Sequence, residues 1–279
     1  MLHRLASTVT ATGFVICANI ATAQAVDPDK GAALFEALGL PDMLSIMRDE
    51  GIAYGDEIGV DLFQDRVNTE WTEIVSTIYD VDRMRAQVAA ELNMALEGSD
   101  IDALLDFFSS EPGQSIIALE VSARRALLDD AVEEASKEAA AIAMEDQSTR
   151  YMMVRNFIEV NDLVETNVVG AMNSNYAFYI GLMDGGAFPA ELTEEQVLTD
   201  VWSQEDEIRT NTTEWVFSFL MMAYQPLSDE DLFTYTAFSE TEAGEDLNAA
   251  MFAAFDAMFE DISRQLGLAS AQFMIGDEI

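Results

Sequence analysis

The sequence holds one histidine, His3, and one cysteine, Cys17, in 279 residues. Both fall in a segment that reads as a removable leader, so the exported chain is expected to contain neither. Without them a Ser-His-Asp or Cys-His nucleophile is excluded, and an ordinary zinc site lacks its ligands. The Glu-x-x-His pairs of a ferritin-like di-iron centre are missing as well. So are a glycine loop ending in Lys-Ser or Lys-Thr and the strand–glycine–helix fingerprint of nicotinamide and flavin folds. No disulfide is available to an exported protein that would meet an oxidising compartment, so stability has to come from the core.

Positive charge is equally scarce. Only 13 Lys and Arg, with Lys30 and Lys137 the two lysines, stand against 52 Asp and Glu, for a formal charge of −39. Such a field repels phosphate backbones and anionic headgroups, which argues against nucleic acid and membrane-surface partners. With so few cations to pair the acids, self-repulsion should make stability rise with ionic strength. What the chain does have is apolar surface to bury. Half its residues are hydrophobic, 9% are aromatic and the mean hydropathy is +0.08, too much for a disordered acidic chain.

Residues 1–25 begin with His3 and Arg4, run uncharged from Leu5 to Ile20, and close on Ala21-Thr22-Ala23-Gln24-Ala25. A cationic start, a modest apolar run and small residues at A-x-A spacing make a secretory signal, cut after Ala23 or Ala25. The run is shorter than the ~20 residues of a spanning helix, and Ile16 before Cys17 does not suit a lipoprotein. The expectation is a periplasmic or secreted protein without a membrane span.

Helical periodicity dominates the rest of the chain, and strand-like alternation is rare. The spacing predicts helices at 30–38, 42–50, 58–78, 82–97, 100–108, 111–145, 149–183, 193–223, 229–238 and 242–266, with a loosely held tail from Gly267 to Ile279. An internal repeat runs through this pattern. At an offset of 131, Asp100 matches Asp231, Phe107 matches Phe238, Glu111 matches Glu242 and Gly113 matches Gly244, with Ser110 opposite Thr241. In each copy a short helix ends at Phe, and a longer one restarts at a Ser or Thr cap. A glycine in that first turn costs helix propensity, so it should serve close approach to a neighbouring backbone. The expected fold is all-α and multi-helical: a signal peptide at 1–25 and two similar helical halves, 26–146 and 147–279, packed together.

The turn Phe107-Phe108-Ser109-Ser110-Glu111-Pro112-Gly113, behind a signal peptide, resembles a bacterial exported family known as domain of unknown function 2059. There the stretch reads as an aromatic pair, Ser, Pro and Gly. The second copy departs from it, with Thr241-Glu242-Ala243-Gly244 and no proline. The resemblance implies an all-helical exported protein and assigns no activity.

Carboxylates are the remaining route to chemistry. A pair of them could cleave an envelope glycan, one as acid and one as base or nucleophile. Calcium is the other use, and Asp56-Glu57 to Asp61, Asp80 with Asp82, and Asp229-Glu230-Asp231 are candidates, none with the full EF-hand pattern. Asp229 to Asp231 follow Ser228 and more simply cap a helix. The most unusual segment is Asn161 to Gly186. Asn161, Glu165, Val168, Met172, Asn175 and Tyr179 share one face of a continuous helix there, and Glu165 is the acid in the most distinctive apolar setting. Amides on such a face need partners when buried, so they either bond neighbouring helices or line a groove. In the second case Asn161, Glu165, Asn175 and Tyr179 would bind a ligand, and Gly181, Gly185 and Gly186 would end the helix in a flexible turn.

Met and aromatic residues cluster at Tyr151 to Met153, Trp215 to Tyr224 and Met251 to Phe259, where core is the simpler assignment. The functional expectation is a non-enzymatic interaction or binding module with no cofactor, metal or catalytic residue, whose partner would be an envelope protein. The alternatives are a carboxylate-dependent hydrolase or lyase on envelope glycan, and a small-ligand or calcium binder.

Overall fold

The short polar residues that interrupt the apolar periodicity are where the helices start. Asp27, Asp80, Asp100, Ser110, Asp129, Ser148 and Ser228 each accept a hydrogen bond from a backbone N–H of the first turn beyond them. Thr193 and Gln196 close a reciprocal capping box. Acids crowd the first turns, among them Glu205, Asp206 and Glu207, where the helix dipole favours them. Much of the negative charge therefore serves as punctuation. Asp80 and the Asp229 to Asp231 run, both candidates for calcium, occupy a cap and a first turn.

The computed structural model describes residues 25–63, 69–187 and 193–276. Among them all regular structure is helical: α1 (Pro28–Ala37), α2 (Leu40–Phe63), α3 (Thr69–Ile78), α4 (Val81–Ala95), α5 (Ile101–Phe108), α6 (Glu111–Ala126), α7 (Asp130–Glu145), α8 (Thr149–Val160), α9 (Leu163–Asp184), α10 (Glu194–Trp202), α11 (Glu205–Ala223), α12 (Asp229–Ser239) and α13 (Glu242–Gly276). None of the described helices is long and apolar enough to cross a membrane. The expected leader lies outside the described residues except for Ala25.

Several boundaries differ from the sequence expectation. The predicted gap at 51–57 is helical, because Gly51 and Gly55 bring α2 against Tyr79 and Val75, and the Trp71 indole N–H donates to the Gly55 carbonyl at 2.8 Å. The predicted helices 111–145, 149–183 and 193–223 are each two helices, broken at 127–129, 161–162 and 203–204. Asp162 takes a left-handed conformation, φ +50°, at the second break. The tail is not loose. α13 continues to Gly276, and Ser270 and Ala271 are wholly buried. Small residues explain this: a Cβ at Gly181 would meet the Arg264 carbonyl, and one at Gly267 the Phe178 carbonyl, so α9 and α13 pack closely and in parallel. Gly181 and Gly185 thus serve packing, and only Gly186, φ +83°, has the backbone of a turn.

A division at 146/147 would run through both large cores. One core gathers α1 to α5 around Leu247, Ala250, Ala254, Met258, Ile262 and Leu266 of α13. The other gathers α8, α11 and α12 with Ile116 and Ala123 of α6. Ile117, next to Ile116, faces the first core, so α6 lies between the two. A smaller cluster joins Val168 and Met172 of α9 to Val197 and Val201 of α10.

The two repeated turns meet. Ser110 Oγ accepts from the Gly113 N–H at 3.2 Å, and Thr241 Oγ1 from the Gly244 N–H at 3.1 Å. A Cβ at Gly113 would strike the Phe107 carbonyl, and one at Gly244 the Phe238 carbonyl, which is the close approach expected from the sequence. The Phe107 and Phe238 rings stack at 3.9 Å with planes 9° apart.

Candidate functional site

α6 and α13 leave adjacent turns, and a gap opens between them. It is a cavity of about 590 Å³, walled by α2, α6, α9, α11, α12 and α13. Aromatic and methionine side chains line most of it, including Met43, Met47, Trp215, Phe219, Met251 and Phe255. The Trp215 to Tyr224 and Met251 to Phe259 clusters, expected as core, do pack into the two large cores and also furnish part of the cavity wall. Trp215 and Phe219 stack at 5.2 Å, and Phe255 and Phe259 at 6.4 Å.

Polar groups are few and placed together. Glu120, one turn beyond Ile116 on α6, opens on the cavity. Its Oε1 accepts from the Tyr224 hydroxyl at 2.6 Å, and the Tyr235 hydroxyl lies within hydrogen-bonding reach. Burial raises the Glu120 carboxyl to about 7, more than the two phenol hydrogen bonds pull it down. Tyr224 and Tyr235 are held well above the usual phenol range, first by burial and then by the charge of Glu120. Phe157 packs edge-on to Tyr224 at 5.5 Å and against Tyr235 at 4.8 Å, which excludes water from that end.

Arg124, the next turn along α6, is already engaged. Its Nε and Nη2 donate to the two Glu50 oxygens at 2.7 Å each, and the guanidinium lies over Trp215 at 4.7 Å. A second carboxyl, Asp256 of α13, also lines the cavity, and burial with the nearby Glu260 raises it.

Of the four residues predicted to line a groove, one does. Asn161 is 7% exposed and borders the cavity, but its amide donates to the Phe157 carbonyl at 2.9 Å, and its own carbonyl accepts from Asn248 at 3.0 Å. Glu165 is on the surface, bonded to Arg209 at 2.6 Å, and that hydrogen bond holds its carboxyl below the usual range. Tyr179 belongs with the α9–α10 cluster, and Asn175 is half-buried on α9 away from the cavity lining. The break at Asn161–Asp162 separates Asn161 from the others, while Val168, Met172 and Tyr179 keep their common face on α9 and turn it to α10 rather than to the cavity. The face of α9 that reaches the cavity is instead Leu163, Asn167, Gly170, Ala171 and Ser174.

Glu120, Tyr224 and Tyr235 were missed. Glu120 had a local signal, since it is the one acid in Ser115-Ile116-Ile117-Ala118-Leu119-Glu120-Val121. Its two phenol partners come from α11 and α12, over 100 residues on, and nothing in the sequence joins them to it. No group of three or more Asp, Glu, His or Cys among the described residues converges on a metal position.

Residues 82–141 match a family described as uncharacterized proteins conserved in bacteria, DUF2059. The matched span runs from α4 into α7 and includes the first turn, Glu120 and Arg124. Tyr224, Tyr235 and the second turn lie beyond it. No curated protein and no solved structure matches the chain.

Proposed function

We propose that this protein is an exported, non-enzymatic binding module of the bacterial envelope, made of two similar helical halves, that holds a small apolar ligand between α6, α11 and α13. The observation that carries this reading is the aromatic-lined cavity of about 590 Å³ with one cluster of polar groups, Glu120, Tyr224 and Tyr235. Ligand pockets commonly span about 300–1,000 Å³ with mostly apolar walls and a few placed polar groups. The leader-like residues 1–25 support export, and the matching geometry of the Gly113 and Gly244 turns supports the two halves.

A neutral fluorescent naphthylamine tests the reading. It should bind the wild-type chain at one site, and Ala171→Phe, which fills the cavity, should abolish binding while helical content persists. Glu165→Gln should change nothing. Binding that survives Ala171→Phe, or no binding at all, would overturn the cavity reading.

One observation favours a second reading. A carboxyl raised to about 7, in a cavity that a second acid, Asp256, also lines, suits a general acid. A hydrolase of this kind loses turnover of an added glycan in Glu120→Gln. The apolar walls favour the binder, because sugar hydroxyls buried there would find few partners.

A further inference from the structure

Resting on that cavity reading, we infer that the ligand is a lipophilic amine, bound as its ammonium ion against the Glu120 carboxylate with its tail along the aromatic walls.

The charges facing the cavity carry the argument. Among the described residues Glu120 and Asp256 are its acids, and Arg124, one turn beyond Glu120 on α6, is its cation. An anionic head would need the charge of Arg124, and Glu50 already neutralises that guanidinium through its Nε–Nη2 edge in two hydrogen bonds of 2.7 Å. Displacing Glu50 would leave its partly buried carboxylate without its partner, which is unfavourable. An uncharged head would leave Glu120 without a counter-charge. A cation satisfies it. Tyr224 takes Oε1 at 2.6 Å, and an ammonium supplies donors for the rest of the carboxylate. Phe157 and Tyr235 line the cavity beside that carboxylate and surround a head placed there with aromatic surface. Outside the cavity, a chain of formal charge −39 draws cations in and turns fatty anions away.

The test uses three probes of one chain length, octylammonium, 1-octanol and octanoate, each displacing the neutral naphthylamine from the full chain. At about 0.5 M NaCl the surface field is screened and the cavity is not. Octylammonium should bind at one site about ten-fold more tightly than octanol, the effect of one charge-assisted hydrogen bond. Octanoate should fail to displace the fluorophore. In Glu120→Gln the ammonium should fall to the affinity of octanol, and octanol should be unchanged. Equal displacement by octylammonium and octanol, or a preference that survives Glu120→Gln, would overturn the inference and leave the cavity reading standing. If the fluorophore itself does not bind the wild type, both fall together. The wild-type ranking decides the matter even if Glu120→Gln does not fold.

Discussion

The helices that leave the two turns, α6 and α13, start alike and end differently. Each begins at a hydroxyl cap, presses a glycine onto the preceding Phe carbonyl, and sends its second and third turns to the same cavity. Counted from the glycines, Glu120 of α6 corresponds to Met251 of α13, and Arg124 to Phe255; all four line the cavity. At these two positions α6 is charged and α13 apolar, while Asp256, next to Phe255, is the acid that α13 brings to the cavity. The lesson is that two turns of like backbone geometry can carry different side chains at corresponding positions. An apolar molecule with one charged end fits that asymmetry.

The sharpest way to break the comparison is at the glycines. Gly113→Ala and Gly244→Ala each drive a Cβ into backbone, where no side chain can swing aside. Both should lose on the order of 3 kcal/mol in urea unfolding, and by similar amounts. A large loss at only one would mean that the second turn is held by other contacts and that the likeness is superficial.

The polar wall should announce itself in pH. The Glu120 carboxyl is raised from 4.5 to about 7 in the folded chain, so folding favours its protonated form. Its contribution is fully present below pH 4.5 and is lost as pH rises through about 7, up to on the order of 3 kcal/mol. Repulsion among the other acids acts in the same direction, so the wild-type slope alone is uninformative. Glu120→Gln should flatten thermal stability between those two pH values relative to wild type. Met251→Gln, at the corresponding place on the other wall, should leave the slope as it was. Smaller again are the caps: Ser110→Ala and Thr241→Ala should each cost about 1 kcal/mol, measured by the same urea titration.

How far the sequence foretold this depends on range. The turns were legible because cap, glycine and aromatic lie within seven residues, and helix spans were legible wherever an apolar stripe was unbroken. Breaks at 127–129, 161–162 and 203–204 were not, since a two- or three-residue interruption leaves the periodicity nearly in step while turning the helix axis. The break at 161–162 detached Asn161 from the predicted site, and the rest of that face turns to α10, which no local pattern announces, with Glu165 meeting Arg209 at the surface. Gly267 and the small residues after it looked like a tail because their contacts are with Phe178 and its neighbours, some 90 residues earlier. The Glu120 cluster needed three helices brought together, and only tertiary packing does that.

The last difference between α6 and α13 is length, and its cause can be separated by one mild substitution. α6 stops at Ala126 with Arg124 and Arg125 in its final turn, and Asp129 then caps α7 through the N–H groups of Ala131 and Val132. At the corresponding place α13 has Glu260, one methylene too long to cap well, and the helix runs on to Gly276. Two influences could end α6 here, the cap offered by Asp129 and the cations that suit a helix C-terminus. Arg125 is exposed and its acidic neighbour Asp42 is 3.7 Å away, so Arg125→Ala removes the dipole contribution and little else. It should lower stability by about 0.3 kcal/mol, at the edge of detection. A loss beyond about 1 kcal/mol would mean that charge rather than capping fixes where α6 ends. The contrast in length between the two helices would then be electrostatic in origin, as their contrast in cavity lining already is.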